Sequence, residues 1–157
     1  MDRREAILVQ LLAIATAAPG VTTAARNRLA PTDDESPSII IYDGDEMVLE
    51  SSDAPGEIRR PARKPRVVPM APTIEVLLGA SPANAGTVIN GIRKYLIKTI
   101  IQDETLASLV VSDMTSPPMA RGIHYLGCTF GAGLGRSLQA DMVLNFAFTY
   151  VLNIDEL

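Results

Sequence analysis

The stretch GRSLQADMVLNFAFTYVLNIDEL, Gly135 to Leu157, holds the longest uninterrupted alternation in the chain. From Met142 onward, Leu144, Phe146, Phe148, Tyr150 and Leu152 fall on one side of an extended segment. Val143, Asn145, Ala147, Thr149, Val151 and Asn153 fall on the other. Successive side chains of a strand point to opposite faces, so this period of two predicts a long strand. Its apolar face, Leu144, Phe146, Phe148 and Tyr150, is expected to cover helices as core, while the mixed face is left for another surface.

Upstream, RGIHYLGCTFGAGLGRS (residues 121–137) reads as the strand before it, ending in a turn where Gly131, Gly133 and Gly135 reverse the chain. RVVPMAPTIEVLLGA (residues 66–80) alternates as well, with Val68, Met70, Pro72, Ile74, Val76 and Leu78 on one side. Its prolines lack the N–H that a ladder needs, which predicts an edge strand or one kinked near its start. Between these strands, Ile89, Ile92, Leu96, Ile97, Ile100 and Ile101 recur at helical spacing, with Arg93, Lys94 and Lys98 turned outward. Asp103 is placed to begin a short further helix through Val110.

The opening MDRREAILVQLLAIATAAPG has basic residues before an apolar run, as a secretory leader does. Gln10 breaks that run, however, and Asp2 and Glu5 place acids where a leader needs positive charge. Ile7, Leu8, Leu11, Leu12 and Ile14 instead predict an amphipathic helix over about residues 2–17, with Asp2 as N-cap and Pro19-Gly20 as stop. Residues 20–38 read as turn-rich. In SIIIYDGDEMVLE (residues 38–50), Ile39–Ile41 is a buried-strand run, Asp43-Gly44 a two-residue hairpin turn, and Val48 and Leu49 a weak return strand. The order predicts one α+β domain over residues 1–157: a mostly antiparallel sheet with a long C-terminal strand, packed by two main helices.

A charge-split insert interrupts this order at about residues 31–66. Asp33, Asp34, Glu35, Asp43, Asp45, Glu46, Glu50, Asp53 and Glu57 occur without a base among them, and Arg59, Arg60, Arg63, Lys64 and Arg66 follow without an acid. Such a segment buries too little apolar surface to fold alone, so it is either a solvated loop or an arm that orders against a neighbouring subunit. In the second case Arg59, Arg60, Arg63 and Arg66, with Asp43, Asp45 and Glu46, are the candidate contacts between subunits or with a partner.

Composition narrows the function. With 157 residues, 47% apolar, the chain is long enough for a real core, and with 4% aromatics and no Trp that core must be aliphatic. The same scarcity argues against base-stacking platforms for single-stranded nucleic acid. A net charge of −4 argues against general binding to nucleic acid or anionic membranes. No run approaches the ~18 apolar residues of a membrane span. Cys128 is the single cysteine and His124 the single histidine, which excludes an internal disulfide and a thiolate zinc cluster. On one regular strand these two would share a face but stand ~13 Å apart, too far for a nucleophile and its base. The acids of YDGDE lack the regular oxygen spacing of a calcium loop. GAGLGRS ends without the Lys-Ser/Thr of a phosphate loop and leads into a strand, not a helix. No catalytic, cofactor or metal residues are expected, and the rival enzyme reading rests only on Asp43, Asp45 and Glu46 holding a metal.

RNR at Arg26–Arg28, IIIYDGDE at Ile39–Glu46, VPMAPTIEVLLGA at Val68–Ala80, ANAGTVINGIRKYLI at residues 83–97 and the closing GRSLQADMVLNFAFTYVLNIDEL together resemble the tail terminator, or tail completion, proteins of long-tailed bacteriophages and prophages. The resemblance covers most of the chain from Arg26 onward and rests on the order of patterns. It implies an α+β subunit that assembles with itself into a six-fold ring on the head-proximal end of the tail tube. Such a ring stops tube polymerisation and joins the tail to the head-tail connector, and DNA passes through its lumen without specific binding. The implied location is the virion, after assembly in the host cytoplasm, with no membrane association. The family carries no catalytic residue or cofactor. The insert from Asp33 to Arg66 departs from its pattern. In such a ring, the mixed face bearing Asn145, Thr149 and Asn153 would meet a lumen or a neighbour. Head-closure, connector and tail-tube subunits are the alternatives in the same setting.

Overall fold

A computed structural model describes residues 2–28, 36–47, 66–79, 84–111, 122–132 and 140–153. Among these residues, five strands form one sheet in the order β1-β2-β3-β5-β4. They are β1 (Thr23–Arg26), β2 (Ser38–Glu46), β3 (Arg66–Leu78), β4 (Ile123–Ala132) and β5 (Ala140–Leu152). Only β1 and β2 run parallel; β2–β3, β3–β5 and β5–β4 are antiparallel. The helices α1 (Arg3–Thr16), α2 (Ala85–Gln102) and the short α3 (Glu104–Leu109) complete an α+β domain. Val48 and Leu49, expected as a return strand, lie outside the described residues.

The alternation of the two long strands translates directly into burial. Val68, Met70, Ile74, Val76 and Leu78 of β3 join Met142, Leu144, Phe146, Phe148 and Tyr150 of β5 in one core. The three helices cover that face, with Ile7, Leu8, Leu11 and Ile14 of α1 and Ile89, Ile92, Leu96 and Ile100 of α2 packed into it. Full burial of such side chains contributes ~1.5–3 kcal/mol each before entropy is counted. Within α2, Ile97 is only half-buried and Ile101 is 43% exposed, so the expected stripe is narrower than its isoleucines suggested. Ile89, Ile92, Leu96 and Ile100 follow one another at steps of three or four and keep to one side, whereas Ile97 and Ile101 each stand one position, about 100°, further round.

Helix ends follow local chemistry. The Asp2 carboxylate accepts from Arg4 N at 3.2 Å and opens α1. Asp103 accepts from Leu106 N at 2.7 Å to open α3, and its other oxygen takes a hydrogen bond from Gln10 Nε2 at 3.0 Å. That one side chain therefore caps a helix and ties it to α1.

Four expectations from sequence are corrected. Asp43-Gly44 is not a hairpin turn: β2 continues through it, with three steps from Tyr42 to Asp45 set against two from Thr73 to Ala71 on β3. The extra residue is a bulge, and the positive φ of 69° at Gly44 serves it as it would have served a turn. Second, β3 is interior, flanked by β2 and β5, despite its prolines. Pro72 stands opposite the β2 bulge, and the ladder to β5 skips it and Ala71. Pro69 faces Thr149, whose N–H and C=O are already committed to Gly122 O and Val111 N, so no bond is lost there. Third, the turn-rich stretch after α1 contains β1, in register with β2 from Thr23↔Ser38 to Arg26↔Ile41. Fourth, Gly131 remains in β4, paired with Asp141, and is not part of a turn.

Candidate functional site

The histidine and the cysteine are separated further than simple spacing implies. A register shift between Tyr125 and Gly127 gives β4 one extra residue, so His124 pairs with Ala147 and Cys128 with Leu144. Ala147 lies on the face away from the helices and Leu144 in the core. The bulge thus puts imidazole and thiol on opposite sides of the sheet, correcting the expectation that they share a face. His124 is exposed; Cys128 is half-buried against the core. Beside Cys128 on the helix side, Arg93 Nη2 of α2 reaches Tyr125 Oη at 3.5 Å. Among the described residues, no three His, Cys, Asp or Glu side chains are grouped to hold a metal ion.

Charge is concentrated at one corner, where α1 crosses the ends of β1 and β2. Arg26 donates to Glu5 Oε1 and Oε2 at 2.7 and 3.2 Å and to Asp43 Oδ1 and Oδ2 at 3.0 and 2.8 Å. Arg4 Nη2 donates to Gly44 O at 2.9 Å, and its Nε, buried without a hydrogen bond, stands 3.8 Å from Glu46 Oε2. Tyr150 closes the corner from β5 by donating its hydroxyl hydrogen to Glu46. The hydrogen bonds from Arg26 hold the Asp43 carboxyl below its ordinary range, against the opposing effect of burial. Those to Asp43 and then to Glu5 hold the Arg26 guanidinium more firmly protonated. Burial first, and then Glu46, pushes the Tyr150 hydroxyl upward.

This cluster has no unpaired base beside a nucleophile. Apart from Arg4 Nε, the polar atoms named here are engaged with one another, so the cluster acts as a clamp joining α1, β1, β2 and β5. Of the acids singled out from sequence, Asp43 and Glu46 belong to it, while Asp45 is exposed on the opposite face of the sheet, paired with Ala71. Arg59, Arg60 and Arg63 lie outside the described residues. Arg66 opens β3, paired with Leu152. Sequence reasoning missed Arg4, Glu5 and Arg26 as a unit. The available signal was acids and bases on three segments at ends that only the parallel β1–β2 pair brings together.

The face of the sheet away from the helices is the largest feature left over. It carries Val67, Ala71, Thr73, Glu75 and Leu77 of β3, Asp141, Val143, Asn145, Ala147, Thr149 and Val151 of β5, and Ile40, Tyr42 and Asp45 of β2, of which Ile40 is buried. Val67 is 45% exposed, and Leu77, Val143, Ala147 and Val151 are half-buried. Tyr42 Oη donates to Glu75 Oε2 at 2.9 Å, and burial and then that carboxylate raise the phenol above its ordinary range. Among the described residues of the sheet, this face bears Asp45, Glu75 and Asp141 and no lysine or arginine.

Compared with protein-family models and with curated proteins, the chain matches none. Among the described residues no helix is long and apolar enough to cross a membrane.

Proposed function

We propose that the chain is a structural virion subunit: a tail-terminator-like protein that closes into a six-fold ring on the head-proximal end of a phage tail tube. The ring stops tube polymerisation and presents a surface to the head-tail connector. Its partners are other copies of itself, the tube protein and the neck. DNA passes through its lumen unbound, for which a net charge of −4 is suited, since fixed positive charge would hold phosphates.

One observation carries this reading beyond the resemblance in sequence order. The described helices lie on one face of a five-stranded sheet, and the other face is half-apolar, with carboxylates but, among the described residues, no lysine or arginine. A subunit of that shape is suited to burial against neighbours, whereas the polar corner is engaged mainly in internal hydrogen bonds. Negative-stain imaging with native mass spectrometry of the purified chain tests the proposal. Single closed rings of one size support it. Long tubes would replace it with a tube subunit, and a chain that stays monomeric at all concentrations would overturn it. Metal-dependent hydrolysis lost on changing Asp43, Asp45 or Glu46 would replace it with the enzyme reading.

A further inference from the structure

We propose that copies of this chain join head to tail, with the outer face of α2 on one copy seated on the open sheet face of the next. The inference rests on the ring reading and names its interface.

Complementary charge points to this pair of surfaces. The segment Ala85–Gln102 contains Arg93, Lys94 and Lys98 and no acid. Lys94, Lys98 and the 43% exposed Ile101 fall at i, i+4 and i+7, one outward line along the helix. The open sheet face bears Glu75, Asp141 and Asp45 and, among the described residues, no lysine or arginine. The basic line and the acidic face lie on opposite sides of the same molecule, so neither can neutralise the other within one copy.

Spacing agrees with charge. Glu75 pairs with Val143, and Asp141 lies two positions along the same face, making the two carboxylates diagonal neighbours. Such positions are ~7–8 Å apart, close to the ~5–6 Å between residues one helical turn apart. Lys94 and Lys98 can therefore address both carboxylates at once, while Ile101 and the half-buried Ile97 meet the apolar residues around them. A helix laid on a sheet face is also the packing that this fold already uses on its other side. Two different surfaces make the contact heterologous, and a heterologous contact repeated by rotation closes a ring, whereas a self-complementary patch would stop at a dimer.

Two charge-reversed variants test the interface, Lys94→Glu/Lys98→Glu and Glu75→Lys/Asp141→Lys, by sedimentation velocity at about 50 and about 500 mM salt, with circular dichroism to verify folding. Opposed like charges cost far more than a missing pair, so each variant alone should assemble about tenfold or more weakly than wild type. Higher salt should weaken the wild-type contact. Mixed in equal amounts, the two variants should assemble again, because each reversed surface then meets its complement in an alternating array. Recovery on mixing cannot come from a misfolded chain. If both variants assemble as wild type does, or if the mixture fails to recover while both are folded, this interface is wrong and the ring reading stands. A wild-type chain that never assembles overturns both. Retention of the folded monomer on duplex DNA through Lys94 and Lys98, without self-assembly, would reassign the α2 face to nucleic acid.

Discussion

Arg26 of β1 and Asp43 of β2 meet through two hydrogen bonds of 3.0 and 2.8 Å, and the same guanidinium holds Glu5 of α1. One side chain thus links the first helix to two strands. Arg26→Ala should cost about 1–2 kcal/mol in urea unfolding, the lower part of the range for charge-assisted bonds because the partners keep some solvent. The acid limb of stability should change with it. Asp43 is held below its ordinary value of 3.8, so its contribution is present above that pH and is lost as pH falls through the lowered value. Asp43→Asn should remove that part of the acid dependence. An unchanged acid limb would show that the pair contributes nothing.

Tyr150 and Glu46 give the opposite sign. The tyrosine hydroxyl is raised above 10.0 by burial and by the carboxylate that it donates to. Its contribution is whole below 10.0 and is lost as pH rises through the raised value. Tyr150→Phe should cost about 1–2 kcal/mol and flatten the alkaline limb. By contrast, Phe146→Ala and Phe148→Ala, both at fully buried positions, should each cost about 3–5 kcal/mol with no pH signature. Denaturant melts at several pH values separate these cases.

Gly44 and Gly20 both have positive φ, 69° and 76°, but only Gly44 is crowded. A Cβ there would overlap the carbonyl oxygen of Ala71, whereas nothing lies within 4 Å of one at Gly20. Gly20→Ala should cost about 1 kcal/mol of backbone strain, and Gly44→Ala should cost at least about 2 kcal/mol because the β2–β3 ladder must also shift. Equal values in thermal melts would refute the bulge geometry.

How much of this was legible in sequence depended on how far apart the partners lie. The faces of β5 and β3 could be read because alternation is a property of consecutive residues. Asp103 as the start of α3 was legible for the same reason, the N–H that donates to it, on Leu106, being three positions away. The hairpin expected at Asp43-Gly44 failed because a tight turn and a bulge both require a residue at positive φ. What distinguishes them is whether β3 continues alongside, and local sequence does not contain that. Pro69 and Pro72 misled similarly: a proline is excluded from an interior strand only where its N–H is needed. The Arg26 clamp was invisible because its partners are 17 and 21 positions away and converge only once β1 lies parallel to β2.

Asp103→Ala tests the junction between helices. The substitution removes the α3 cap and the acceptor for Gln10 together, so a loss of about 1–2 kcal/mol is expected. Gln10→Ala should cost less, because the cap survives. If Gln10→Ala equals Asp103→Ala, the inter-helix bond and not the cap carries the effect.

The position of β5 between β3 and β4 also governs the order in which the fold can come into being. Every other described element precedes it in the chain, yet β4 has no partner among the described strands except β5. On the ribosome, the first helices and β1–β3 emerge able to associate, while β4 waits beside an uncovered β3 edge. Only when residues 140–152 have cleared the exit tunnel can the gap be filled and both edges paired at once. The sheet face used by the proposed interface is therefore incomplete until synthesis has passed β5.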